Sequence, residues 1–272
     1  MSVFEFLSSY QEVVRVMIAR TEGSSPREVG AEMFVSISSM AGTIGGGQLE
    51  YMALDQARAM LKTGELWAEM DVPLGPEIGQ CCGGRVVLML ERMGAKSRAE
   101  TLEQITRTAE EMPQVLVFGA GHVGRALIRA LAPLPVRARL VDSRSEELAM
   151  ADCADKCLTA LPENEIHTNA YGAGVVIATH DHALDFLLAA EALKRGDATY
   201  VGMIGSATKR ARFERWLREH DPEVNAGVLT CPMGKAGLGD KRPEVIAAFV
   251  VAELMQAFAD ATTVRDRMEA VT

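Results

Sequence analysis

Val115-Leu116-Val117-Phe118-Gly119-Ala120-Gly121-His122-Val123-Gly124 decides how this chain folds. Four apolar residues bounded by glycine read as a short buried strand. A G-x-G-x-x-G turn follows at once, and 123–131 reads as a helix. Strand, glycine turn and helix in that order form the phosphate-binding opening of a βαβ unit. Gly119 makes the tight turn, Gly121 lets a phosphate approach the backbone, and Gly124 lets helix and strand pack closely. The next strand, 136–141, is followed by Asp142, 18 residues after Gly124. An acid near that spacing can bind a ribose diol. Arg144, two residues on, offers a phosphate contact instead. His122 at the helix mouth either donates to a phosphate or faces solvent. The same pattern also fits a fold that holds no ligand.

Outward toward the C-terminus, the alternation continues. Segments 175–178 and 200–204 read as strands, and 183–195, 206–219 and 243–260 as helices. This predicts a Rossmann-like doubly wound parallel sheet over 114–272. Tyr200-Val201-Gly202-Met203-Ile204-Gly205-Ser206 is a second strand-to-helix junction. Lys209 and Arg210 fall in the first turn of its helix, where acidic residues are the usual choice. Either an anion sits beside Gly205, or this is a solvated basic face. His180-Asp181-His182 offers a metal or proton site beyond a strand end, or a helix cap at Asp181 with incidental histidines. Cys153 and Cys157 share a face if they are helical, and packing suits them better than zinc. Cys231, opening a Gly/Pro-rich loop, is a candidate third sulfur centre.

Toward the N-terminus, a smaller mixed α/β domain is expected over 1–93, joined by a helical connector over 94–113. Strands are expected at 13–19, 33–37, 66–72 and 85–91, with a turn at 21–26. Gly45-Gly46-Gly47 runs into a helix at 48–61, whose free N–H groups would face a ligand. Between the last two strands lies Gly79-Gln80-Cys81-Cys82-Gly83-Gly84. Thiolates are soft, nucleophilic ligands, and flanking glycines let a ligand come close. A core needs no such pair, although two buried cysteines would also satisfy the sequence.

Composition narrows the choice. The chain has 272 residues, 48% hydrophobic and 24% charged, the balance of a globular protein. A net charge of −9 without basic runs argues against nucleic acid as a partner. No apolar run reaches the roughly 18 residues of a membrane span, and Met1-Ser2-Val3-Phe4-Glu5 lacks a signal-peptide pattern. A cytoplasmic location is therefore expected. Five cysteines, an odd count, do not form a disulfide framework.

Several motifs together resemble one family, the xanthine dehydrogenase accessory proteins of the XdhC/CoxI type. They are Gly42-Thr43-Ile44-Gly45-Gly46-Gly47-Gln48-Leu49-Glu50, the Cys81-Cys82 loop, the Gly119 fingerprint, the Gly205 junction with Lys209 and Arg210, and Cys231-Pro232-Met233-Gly234. They occur in family order and span nearly the whole chain. The resemblance implies a protein that binds molybdenum cofactor in its molybdopterin form. It holds the cofactor while a cysteine desulfurase supplies sulfur, and delivers it to apo-xanthine dehydrogenase. It implies Cys81 and Cys82, with Gln80 beside them, as the cofactor and metal contacts. It also implies a homodimer and a Rossmann-like half whose nucleotide, if it holds one, is open. Two other classes compete. One is an NAD(P)-dependent oxidoreductase using Gly119, Gly121, Gly124 and Asp142. The other is a thiol redox sensor.

Overall fold

The computed structural model describes residues 1–75, 83–169, 171–235 and 239–269, with side chains up to 263. The chain divides into two units, Met1–Thr108 and Ala109–Thr272.

Unit 1 begins with α1 (Val3–Ser9), which the sequence reading missed. Its signal is local: the Ser2 hydroxyl accepts from Glu5 N while the Glu5 carboxylate accepts from Ser2 N, a capping box. Then come β1 (Val14–Glu22), β2 (Glu32–Val35), β3 (Met40–Gly42), α2 (Gly47–Thr63), β4 (Trp67–Pro73) and β5 (Arg85–Arg92). All strand pairs are antiparallel, in the order β3-β2-β1-β5-β4. Val14, Val16 and Ile18 alternate inward along β1, and Leu49, Ala53, Ala57 and Met60 line one stripe of α2 against them. Each large side chain so buried contributes about 1.5–3 kcal/mol. Helix α3 (Ala95–Glu111) follows. Its Arg98 guanidinium donates to the carbonyls of Leu7, Tyr10 and Gln11, tying α3 to the end of α1.

Unit 2 runs β6 (Gln114–Phe118), α4 (His122–Leu131), β7 (Arg137–Asp142), α5 (Ser145–Ala149), β8 (Lys156–Leu158), α6 (Glu163–Thr168), β9 (Gly174–Ile177), α7 (His182–Arg195), β10 (Tyr200–Met203), α8 (Ala207–His220), β11 (Leu229–Thr230) and α9 (Pro243–Glu269). The sheet is parallel throughout, ordered β11-β10-β9-β6-β7-β8. The expected Rossmann-like sheet is therefore present, following the smaller mixed domain in the sequence. Strand order reverses between β6 and β9, which makes the switch point where ligands bind in such sheets. Leu116 and Phe118 face α7 and α8, while Val115 and Val117 face α4 and α9. The weakly patterned β8, β11, α5 and α6 escaped the sequence reading because each is too short to show a period.

Cys153 and Cys157 do not meet the condition for sharing a helix face, since Cys157 lies in β8 and Cys153 in the irregular segment before it, and both pack partly buried against the core as expected. One expectation fails here: 243–263 of α9 is long and apolar enough to cross a membrane, with a mean hydropathy of 1.6 over 18 residues. Glu253 and Asp260 interrupt the run and hid it from a search for unbroken apolar sequence. One such helix is weak grounds for a span. Ala247, Val250 and Leu254 pack into the core of unit 2, although only 22% of the window is buried.

Candidate functional sites

In unit 1, three loops converge at one end of the sheet. The turn at 23–27 is the common contact. Ser24 bridges to Gly83. A Cβ on Gly84 would lie 2.2 Å from the Ser24 carbonyl oxygen, so no other residue fits there. A Cβ on Gly45 would lie 2.6 Å from Pro26 Cγ. The flank of the cysteine segment and the triple-glycine loop therefore pack against the same turn. Gly45, Gly46 and Gly47 have φ of 124°, 81° and 66°, a run that side-chain-bearing residues rarely adopt. Gln80, Cys81 and Cys82 lie outside the described residues.

Part of the triple-glycine loop's amide set is already occupied from within the chain. Glu50, one turn into α2, folds its carboxylate back into the loop. Oε1 accepts from Ile44 N at 3.0 Å, from Gly46 N at 2.9 Å and from the Thr43 hydroxyl. Gly45 N donates to the Thr43 hydroxyl at 3.1 Å. Burial pushes the Glu50 pKa up, but the Thr43 hydroxyl and the loop amides outweigh it and hold the group below its ordinary value. By helix geometry the donors left open are the amides of Gly47, Gln48 and Leu49. The loop's glycine pattern is equally compatible with an external anion or an internal carboxylate; the fold placed Glu50 there.

In unit 2 Gly119 and Gly124 take their expected parts, the tight turn and the close approach. Gly119 has φ 105°, and a Cβ there would lie 2.3 Å from the Ala178 carbonyl oxygen. On Gly124 a Cβ would lie 1.8 Å from Gly119 O, while on Gly121 it would meet nothing within 4 Å. The second glycine faces open space at the mouth of α4, with His122 exposed beside it. Beyond the ends of β6, β7 and β9 lies a shallow pocket open to solvent. Gly119, Asp142, Ser143, Pro162, Thr179 and Leu184 are among its walls.

Asp142 is buried, and its carboxylate is engaged. It accepts from Ala120 N at 2.7 Å, and from Arg144 through N (2.9 Å), Nε (3.0 Å) and Nη2 (2.8 Å). Burial raises its pKa, and these donors, Arg144 foremost, bring it below the ordinary value. Arg125 continues the network, donating to the Ala120 carbonyl and to Glu147.

Lys209 and Arg210 do not face an open anion site. The Lys209 stem packs over Gly205, where a Cβ would lie 2.7 Å from Lys209 Cδ. The Lys209 amine donates to Asp185 and, at 2.8 Å, to the Ile204 carbonyl. Asp185 is 1% exposed, and its other oxygen accepts from the Thr179 hydroxyl and amide. Arg210 donates to Glu214 and to the Leu229 carbonyl. Sequence reasoning missed Asp185 and Thr179, since only the tertiary fold brings α7, α8 and the end of β9 together. Asp181 caps α7 through the amides of Ala183 and Leu184. His180 and His182 are exposed, and no group of three metal-ligand side chains occurs among the described residues. Cys231 is buried in the core; burial pushes its thiol up, and the Lys209 and Arg210 charges offset part of that shift. It packs as a neutral thiol.

Comparison with known proteins adds the following. Residues 115–254 match a model described as the XdhC Rossmann domain, and residues 6–67 match one described as the XdhC and CoxI family. The uncharacterized protein YqeB of Escherichia coli K12 is 25% identical over 254 residues, covering 88% of this chain. The chain spans 42% of the length of that relative. A solved structure from Bacillus halodurans, described as a xanthine dehydrogenase, superposes with a TM-score of 0.78. It is 20% identical, with 96% of each chain covered, and speaks for the fold.

Proposed function

The chain belongs to the XdhC and CoxI family, and from that premise we propose that it binds molybdenum cofactor, shelters it during sulfuration and delivers it to apo-xanthine dehydrogenase. The observation that carries the reading is the convergence on the 23–27 turn. It joins the glycine flank of Cys81-Cys82 to the mouth of α2. The donor chemistry suits the cargo. Adjacent thiols are soft ligands for a molybdenum–dithiolene centre, and the amides at the start of α2 suit its phosphate.

The cargo brings the metal, the pterin and the phosphate. The chain's own part is to bind and orient them. Gln80, Cys81 and Cys82 would contact the metal end, and Gly47 the phosphate end. Gly45 and Gly46 would hold the loop's shape, since Glu50 already occupies their amides. The same reading includes a cysteine desulfurase as sulfur donor, a homodimer and a cytoplasmic setting.

The test loads the purified full chain with molybdenum cofactor under anaerobic conditions, then adds apo-xanthine dehydrogenase. Bound molybdenum near one per chain, and activation above that given by an equal amount of free cofactor, are expected. Cys81→Ala/Cys82→Ala should lose the bound metal and keep its unfolding transition. Unchanged molybdenum content in that variant, or equal activation by free cofactor, refutes the proposal. Steady turnover of a nicotinamide cofactor with a carbonyl compound would replace it with an oxidoreductase.

A further inference from the structure

The pocket of unit 2 carries an inference independent of the delivery reading. In a nucleotide site that reads a ribose diol, the acid after the second strand must offer free acceptor positions to the two hydroxyls. A carboxylate has about four lone-pair positions. At Asp142 four donors already fill them: Ala120 N, and Arg144 N, Nε and Nη2. A diol would have to break part of that set.

Ser143 is among the pocket's walls, and Arg144, which holds the lining Asp142, and Ser145 follow it directly in the chain; among the described residues neither serine hydroxyl has a hydrogen-bond partner. Arg144 Nη1 is ion-paired with Glu147 Oε1 at 3.7 Å, too long for a hydrogen bond, so its N–H groups keep donor capacity, and the side chain is 31% exposed. Guanidinium and hydroxyl donors match a phosphate monoester. Among the pocket's apolar walls, Leu184 is partly exposed and offers a surface to a flat base. Asp142 and Glu147 are together offset by Arg144 and Arg125, so the two carboxylates present no uncompensated charge to a phosphate.

We infer that this pocket binds a nucleotide whose ribose carries a phosphate monoester, as in NADPH, in preference to one with a free diol, and that Arg144, Ser143 and Ser145 read that phosphate. Asp142 is then a positioning residue that holds Arg144 and the glycine turn.

The experiment measures binding of NADPH and NADH to the full chain by calorimetry, with 2′,5′-ADP and 5′-AMP as competitors. NADPH should bind at least tenfold tighter than NADH, and 2′,5′-ADP should compete at least tenfold better than 5′-AMP. Arg144→Gln frees acceptor positions on Asp142, so its preference should fall to about one, with NADH binding gained over the parent chain. Ser143→Ala/Ser145→Ala leaves the Asp142 pairing intact and should lower the preference by severalfold; it serves if Arg144→Gln fails to fold. Equal binding of NADPH and NADH by the parent chain, tighter NADH, or no binding of either overturns the inference.

Discussion

Replacing Lys209 with Met tests how unit 2 is held together at the end of its sheet. The Asp185 side chain is 1% exposed and that of Lys209 10%, so the pair is withdrawn from water. Met fills nearly the same volume but removes the charge. Asp185 keeps two hydrogen bonds from Thr179 and loses its only compensating cation among the described residues. Stranding one member of a buried pair costs about 3–5 kcal/mol. For a unit of this size that is a fall in Tm of roughly 6–20 °C. Trp216 lies on α8 against Phe213 and Phe186, so its fluorescence follows unit 2. Trp67→Phe removes the second tryptophan, which belongs to unit 1. Thermal and urea unfolding in that background should show the loss in the Trp216 transition. Lys209→Met/Asp185→Leu should recover much of it, because no charge is left stranded. A fall below about 2 °C for Lys209→Met would mean that water reaches the pair, and would refute the reasoning.

Two further outcomes follow from the glycine loops. Gly124→Ala places a Cβ 1.8 Å from Gly119 O and should cost about 1–3 kcal/mol or more, whereas Gly121→Ala enters open space and should change stability by less than about 0.5 kcal/mol. Equal Tm losses in the two variants would contradict these assigned roles. Glu50 has a folded-state pKa below its ordinary 4.5, so its contribution is complete above that value and is lost as pH falls through the lowered one. Glu50→Gln should therefore be less stable than the parent at neutral pH, and the gap should close below pH 4.5, read as the Tm difference across an acid series.

Local pattern alone determined the architecture. The run 115–118, the glycine turn and the strand–helix alternation after it define a parallel doubly wound sheet, because strand and helix periods are written in neighbouring residues. The glycines of both loops were legible for the same reason: positive φ and close approach are demands made by nearby backbone. Only the tertiary structure decided what those loops hold. Glu50 reaches its amides across one helical turn, and nothing in a glycine pattern says whether an anion comes from the chain or from outside. Asp142 and Arg144 are two residues apart, so their pairing lay within reach of the sequence; that the carboxylate is saturated depends also on Ala120, 22 residues away. Lys209 was misread as an open cation because its partner, Asp185, comes from another helix. Charge in a sequence has a sign but no direction, and packing supplies the direction.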